Sequence, residues 1–129
     1  VAALERYTSE FGRVHTTIEV DLHCDLPERL PSAVETALYR IVQEALTNII
    51  RHAHAGNVEL RFEADAANFH ISIVDDGVGI EASRLSGRLS HGLVGMRHRI
   101  DRLGGRFSIG VNRPRGTRVD VTVPQARRR

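Results

Sequence analysis

The chain has 129 residues, of which 41% are hydrophobic and 26% are charged, so its composition is that of one globular domain with a single core. Its 18 basic residues, all arginine, and 16 acidic residues leave a net charge of +2. Three of these arginines are the last three residues, and the rest of the chain has no positive net charge, so the charge gives no reason to expect nucleic-acid binding. The single cysteine excludes an internal disulfide, and no apolar run reaches the roughly 18 residues that a membrane span needs.

The apolar pattern predicts helices and strands separated by polar turns. In chain order we expect a helix at about 2–12, a strand at 16–22, a helix at about 32–54, strands at 57–64 and 68–74, a helix at about 92–103, and strands at 106–111 and 117–123. Apolar and polar residues alternate in each strand, so each strand is buried on one face only. This favours an α/β two-layer sandwich, in which helices cover one face of a sheet and water covers the other.

The N-terminal stretch VAALERYTSE contains no initiator methionine and is not a signal peptide. We therefore expect the chain to be a piece of a longer protein. Within it we expect a single domain over residues 1–129, with its core at about 14–124 and a basic tail at 125–129.

One edge of the long middle helix carries a line of polar side chains. On a helical wheel of about 100° per residue, the apolar residues form a core face made of Val34, Leu38, Ile41, Val42, Ala45, Leu46 and Ile49. Glu44, Asn48 and His52 are each one turn apart, so they stack along the border of that face. They form either a solvated flank with i,i+4 hydrogen bonds or the wall of a binding site, and the helix alone does not decide between the two.

The third predicted strand runs into the stretch VDDGVGI. Asp75 and Asp76 stand there beside Gly77 and Gly79. A simple turn needs only one glycine, so the second indicates that something approaches the backbone closely.

The last helix begins in the stretch HGLVGM, which places Gly92 and Gly95 near its start. Free N–H groups at a helix N-terminus favour an anion. Glycine within a helix costs about 1 kcal/mol relative to alanine. Gly95 therefore serves either a ligand or close packing of the helix on the sheet. The stretch PRGT at 114–117 is by itself equally typical of a hairpin turn.

Four stretches, taken in order, resemble the motifs of a known family: QEALTNIIRHA, DDGVGI, HGLVGM and RGT. They are similar to the N, G1, G2 and terminal Gly-Thr boxes of the ATP-binding domain of sensor histidine kinases, in one superfamily with gyrase, the Hsp90 chaperones and MutL. The similarity extends from about residue 14 to Pro124 and looks most like the short-lid subclass typified by nitrate and degradative-enzyme sensors. It implies a Bergerat-type ATP-binding fold, with a mixed, mainly antiparallel sheet of about five strands and about three helices on one face.

The resemblance implies roles for the residues around the base. Asp75 would accept a hydrogen bond from the adenine amino group, and Gly77 and Gly79 would leave room for the base, with Ile80 beside them. Asp76 stands where the family often has asparagine, and we assign it no essential role.

The other matches surround the phosphates. Asn48 corresponds to the residue that holds Mg²⁺ against the phosphates, and Glu44 to an acidic residue near the γ-phosphate that orients or deprotonates the nucleophile. The remaining residues that the resemblance assigns to ATP are Arg51, His52, His91, Gly92, Leu93, Gly95, Met96, Gly116 and Thr117. The polar segment 81–91 corresponds to a short lid, which we expect to be mobile without nucleotide.

The resemblance implies a kinase domain that binds Mg-ATP and donates the γ-phosphoryl group to a histidine on a separate dimerisation domain. It also implies a response regulator as the downstream partner. His15 and His23 lie in or beside the first predicted strand and lack the helical, acid-flanked setting of a phosphoacceptor. We expect a cytoplasmic location, with the membrane reached only through missing upstream segments. An anti-sigma-type serine kinase and a degenerate nucleotide-binding regulatory module are the alternatives, because they share the same boxes.

Overall fold

In a computed structural model of the chain, the described residues are 2–50, 56–77, 91–111 and 116–125. Their helices and strands are, in chain order, α1 (Ala2–Val14), β1 (Glu19–Asp25), α2 (Ser32–Asn48), β2 (Asn57–Ala64), β3 (Asn68–Asp75), α3 (His91–Arg102), β4 (Arg106–Val111) and β5 (Thr117–Pro124). The predicted order and type of these elements are confirmed.

The strands form one mixed sheet in the order β1-β2-β3-β5-β4. β1 and β2 are parallel because α2 crosses over between them, and the other three pairs are antiparallel. The predicted mixed, mainly antiparallel sheet is therefore confirmed.

The core lies between one face of this sheet and the helices. Alternate residues of β2, β3 and β5 are buried, as Leu60, Ile71 and Val121 illustrate with at most 2% exposure. Every residue of the predicted core face of α2 is buried as well. Leu4 and Phe11 bring α1 into the same core. The predicted two-layer sandwich is confirmed.

The bounds of β1 differ from the prediction, and the predicted end of α2 is not tested. β1 spans Glu19–Asp25 and not 16–22, because the alternation that Val20 and Leu22 begin continues through Cys24. The α-helix of α2 ends at Asn48, and the N–H of the next residue, Ile49, is shared between the carbonyls of Ala45 and Leu46. The rest of the longer predicted helix, 51–54, lies outside the described residues.

The end of α3 is fixed by two glycines, as predicted. Gly104 has φ 79, and its N–H donates to the carbonyl of Asp101 at 2.9 Å. The N–H of Gly105 donates to the carbonyl of Ile100 at 2.9 Å, which completes a Schellman motif. A Cβ on Gly105 would overlap the carbonyl oxygen of Thr122, so the end of α3 lies directly on the later part of β5.

Candidate functional site

Three strand ends meet at one edge of the sheet. Residue Val58, near the start of β2, pairs with Asp75 at the end of β3. Val74 pairs in turn with Arg118, near the start of β5. The end of β3, where VDDGVGI begins, therefore lies between the starts of β2 and β5.

The helices bring two further motifs to the same edge. Ser32, in the first turn of α2, lines a groove together with Arg99 and Arg102, which lie near the end of α3. Because the start of one helix lies beside the end of the other, the two helices run antiparallel. α3 ends on the later part of β5, whereas Asp75 lies beside the start of β5. This groove is therefore at the edge of the sheet opposite to Asp75. The end of α2 at Asn48 and the start of α3 at His91 therefore lie on the side of Asp75, so the described parts of the four motifs lie at one edge.

Asp75 is a buried carboxylate at the centre of this edge. It is 3% exposed, and its Oδ1 accepts a hydrogen bond of 2.8 Å from the N–H of Gly77. Burial raises the pKa of the Asp75 carboxyl above its ordinary value, although hydrogen bonds from the backbone of Gly77 and Thr117 act in the opposite direction. An ionised carboxylate only accepts hydrogen bonds, so a ligand group that contacted Asp75 in this form would have to offer a donor.

Gly116 brings the start of β5 against Asp75. Its φ of 115 is a conformation that glycine alone adopts readily. A Cβ there would also overlap the backbone carbonyl of Asp75. Thr117, which follows it, is 9% exposed. β4 and β5 pair antiparallel up to Val111 and Thr117, so the two strands form a hairpin, and Gly116 also lies against the backbone of Asp75.

Asp76 has a structural role that we did not expect. Its Oδ1 accepts hydrogen bonds of 2.9 Å from the N–H groups of Gly56 and Asn57, and its Oδ2 accepts one of 2.8 Å from Nδ2 of Asn57. The side-chain amide of Asn57, followed by its N–H, holds the pKa of the Asp76 carboxyl below its ordinary value. The predicted strands alone did not show this contact, because it depends on the observed register, in which Val58 pairs with Asp75 and Asn57 stands opposite Asp76.

Glu44 and Asn48 are half-buried, one turn apart, on the edge of α2 that borders its core face. A carboxylate and a carboxamide supply the hard oxygen donors that Mg²⁺ prefers. Ile49, the next residue, is 5% exposed and belongs to the core. The donor types therefore fit a magnesium ion at the end of α2.

The first turn of α3 contains the backbones of His91, Gly92 and Leu93, whose side chains lie outside the described part. Gly95 is exposed, and a Cβ there would meet no described heavy atom within 4 Å. Among the described residues, close packing therefore does not explain Gly95. Met96 packs against the core.

Several predicted site residues lie outside the described ranges. They are Arg51, His52, Gly79 and Ile80, together with all of the expected lid except His91.

Residues 33–127 match the family described as "Histidine kinase-, DNA gyrase B-, and HSP90-like ATPase". The histidine-protein kinase/phosphatase DegS of Brevibacillus brevis is 37% identical over 125 residues, which are 96% of this chain and 32% of that protein. The oxygen sensor histidine kinase NreB of Staphylococcus carnosus is 32% identical over 95% of this chain and 35% of that protein. The chain thus spans about a third of the length of these relatives.

Solved structures share the fold. The histidine kinase domain of the blue-light activated kinase of Erythrobacter litoralis EL346 superposes with a TM-score of 0.81 at 23% identity, over 95% of this chain and 59% of that one. The ATP-binding domain of PrrB from Mycobacterium tuberculosis gives 0.71 at 23% identity, over 98% and 93%. Since the family match runs from residue 33 to residue 127, the chain belongs to the histidine kinase-, DNA gyrase B- and HSP90-like ATPase family.

Proposed function

We propose that this domain binds Mg-ATP at the edge described above and donates the γ-phosphoryl group to a histidine on a separate dimerisation domain. The observation that carries the proposal is the buried Asp75 carboxylate, which is 3% exposed at the point where the predicted motifs converge. Burial raises the pKa of this carboxyl even though the N–H groups of Gly77 and Thr117 donate to it, and such a shift marks Asp75 as a candidate functional group. Family membership supports a nucleotide as that ligand.

The base is bound at the strand ends. Asp75 accepts a hydrogen bond from the exocyclic amino group of adenine, while the N–H of Gly77 holds the carboxylate in place from the other side. Gly77, Gly79 and Ile80 border the base, and Gly116 and Thr117 close the wall beside Asp75.

The phosphates lie between the end of α2 and the start of α3. Asn48 holds Mg²⁺, and Glu44 orients or deprotonates the acceptor. The remaining contacts come from Arg51, His52, His91, Gly92, Leu93, Gly95 and Met96. When bound, Mg²⁺ supplies neutralisation of phosphate charge. Because phosphoryl transfer demands little covalent chemistry from the protein, catalysis consists mainly of positioning and charge compensation. The N–H groups at the start of α3 contribute to both.

The domain acts as one part of a longer signalling protein. We propose a single domain over residues 1–129, with its core at about 14–124 and a basic tail at 125–129, and membership of the short-lid subclass. The acceptor histidine lies on the protein's own dimerisation domain, and the phosphoryl group passes on to a response regulator. No helix in the described ranges has the length and apolar character to cross a membrane. A cytoplasmic location completes the proposal.

The proposal is tested in two steps. Isothermal titration of the chain with ATP and Mg²⁺ should show binding at or below millimolar nucleotide. Radiolabelled γ-phosphate should then move to a histidine of the supplied dimerisation domain, and a matched acceptor with that histidine changed to alanine should stay unlabelled. Absence of binding contradicts the nucleotide site. Binding with label on serine favours the serine kinase, and binding without any transfer favours a regulatory module.

A further inference from the structure

We infer that Asp76 is a positioning residue for the nucleotide site: it ties the start of β2 to the strand end that holds Asp75. The inference rests on the proposed function, because it concerns the same pocket. It assigns a task to a residue for which the family resemblance implied none.

Both carboxylate oxygens of Asp76 are engaged by β2. Oδ1 accepts from the N–H groups of Gly56 and Asn57, both at 2.9 Å, and Oδ2 accepts from Nδ2 of Asn57 at 2.8 Å. The N–H of Asp76 also donates to the carbonyl of Asn57 at 3.2 Å. Four hydrogen bonds therefore hold this one residue against the start of β2.

The position of Asp76 determines the orientation of Asp75. Asp76 stands between Asp75 and Gly77 in the chain, and the N–H of Gly77 donates to Oδ1 of Asp75 at 2.8 Å. The peptide that carries this N–H begins at Asp76, so fixing Asp76 also fixes the donor. Gly116 packs against the same backbone, where a Cβ would crowd Cα of Asp76. A small displacement of Asp76 would therefore shift both walls around the Asp75 carboxylate.

The same contacts join further elements to the site. The carbonyl of Gly56 accepts from the N–H of Glu19 at 2.8 Å, so the starts of β1 and β2 are held together beside Asp76. Gly56 also directly follows residues 51–55, which connect it to α2 and Asn48. Asp76 thus holds the start of β2, which follows the proposed phosphate-binding helix α2 in the chain, against the end of the proposed base-binding strand β3.

A matched control exists at the other end of the same hairpin. Oδ1 of Asp65 accepts hydrogen bonds of 2.8 Å from the N–H groups of Ala67 and Asn68, and Oδ2 lies 3.0 Å from Nε2 of His70. Asp65 is thus the same kind of carboxylate, with two backbone donors and one side-chain partner, but it lies far from Asp75. Asp76→Ala and Asp65→Ala remove comparable structural contacts, and only the first changes the pocket.

The test is calorimetric titration of the full chain with ATP and with GTP, together with thermal unfolding of each variant. Asp76→Ala should weaken binding of both nucleotides by about tenfold, the equivalent of one or two hydrogen bonds, and leave their ratio unchanged. Asp76→Asn keeps the Oδ1 acceptor and should restore affinity to within about threefold. Asp65→Ala should lower the melting temperature to a similar extent with unchanged affinity.

If Asp76→Ala fails to fold, Asn57→Ala serves instead, because it removes only the bond from Nδ2 and should weaken both nucleotides by about threefold. Wild-type affinity in Asp76→Ala, or in Asn57→Ala where that variant is used, would overturn the inference while the proposed function stands. Equal loss of affinity in Asp65→Ala would also overturn it, since the effect would then be one of stability. Wild-type protein that binds no nucleotide would overturn the proposed function and, with it, the inference.

Discussion

At the scale of single residues, Asp75 and Asp76 are adjacent carboxylates in opposite surroundings. Burial raises the pKa of Asp75, whereas the hydrogen bonds from Asn57 and Gly56 lower the pKa of Asp76. The hydrogen bonds to Asp76 favour its charged form, whereas burial disfavours the charged form of Asp75. A carboxyl whose pKa is raised by burial is a candidate functional group.

The raised pKa of Asp75 predicts that Asp75→Asn stabilises the nucleotide-free domain at neutral pH. A raised folded pKa means that the folded state binds the proton more tightly than the unfolded state. The stability contributed by Asp75 is therefore present at acid pH and is lost as pH rises through that folded pKa. Calorimetric unfolding should show a higher melting temperature for Asp75→Asn than for wild type at neutral pH. As pH rises above the ordinary carboxyl pKa, the melting temperature of Asp75→Asn should also decline less than that of wild type.

Asp76→Asn is the control, with the opposite sign. Because its folded pKa is lowered, Asp76 contributes stability above the ordinary carboxyl range and loses it as pH falls through the folded value. Asp76→Asn should therefore weaken the dependence of the melting temperature on pH only in the acid range. A lower melting temperature for Asp75→Asn at neutral pH would show that its hydrogen bonds outweigh its desolvation.

The sequence drew attention to Asp75 and not to Asp76 for a physical reason. A buried acceptor beside two glycines leaves a local pattern, because the glycines lie within a few residues of it. The partners of Asp76 are 19 and 20 residues away and are found only by pairing two strands in register.

At the scale of elements, α2 presents a buried core face and, beside it, the half-buried edge that carries Glu44 and Asn48. The 3.6-residue period separated these faces correctly, because burial of Leu38 and Leu46 is a strong periodic signal. The α-helix itself ends at Asn48, and the predicted continuation over 51–54 lies outside the described residues.

The separation of faces predicts opposite outcomes for two neighbouring substitutions. Ile49→Ala should lower the free energy of unfolding by about 2–5 kcal/mol, because Ile49 is 5% exposed in the core. Asn48→Asp should leave the fold intact but impair Mg²⁺-dependent ATP binding or phosphotransfer. Denaturant unfolding and transfer to a supplied acceptor domain measure the two effects. If Asn48→Asp transferred the phosphoryl group at the wild-type rate, Asn48 would not be the metal ligand.

Gly95 in α3 allows a second prediction at this scale. Gly95→Ala should raise the free energy of unfolding by up to about 1 kcal/mol through helix propensity, since no described atom lies within 4 Å of the new Cβ. It should weaken ATP binding, because the phosphates must approach this turn. Gly110→Ala, in β4 with equally open surroundings, is the control for ATP affinity. Unchanged ATP affinity in Gly95→Ala would leave the glycine without a ligand role.

At the scale of the whole molecule, the alternating strands predicted the layers but not the order of the strands. Placing β5 between β3 and β4 depends on long-range pairing that periodicity does not encode. The convergence of the motifs follows from that order, because β5 brings Gly116 to the end of β3. Spacing along the chain therefore selected the candidate residues, whereas the fold was needed to show that the described ones lie at the same edge.

The proposed function depends on recognition of adenine by Asp75, which the selectivity between ATP and GTP measures. Guanine presents a carbonyl where adenine presents its amino group, and two facing acceptors cannot form a hydrogen bond. Leaving buried acceptors unpaired costs roughly 1–3 kcal/mol, so the wild-type chain should prefer ATP over GTP by about one to two orders of magnitude.

The decisive measurement is calorimetric titration of wild type, Asp75→Asn and Asp76→Asn with ATP and with GTP. We expect Asp75→Asn to weaken ATP binding and narrow the gap to GTP, because asparagine offers a donor to guanine. We expect Asp76→Asn to leave the preference unchanged. If Asp76→Asn erased the preference while Asp75→Asn kept it, or if wild type bound GTP as tightly as ATP, the assignment of the base-binding carboxylate to Asp75 would be wrong.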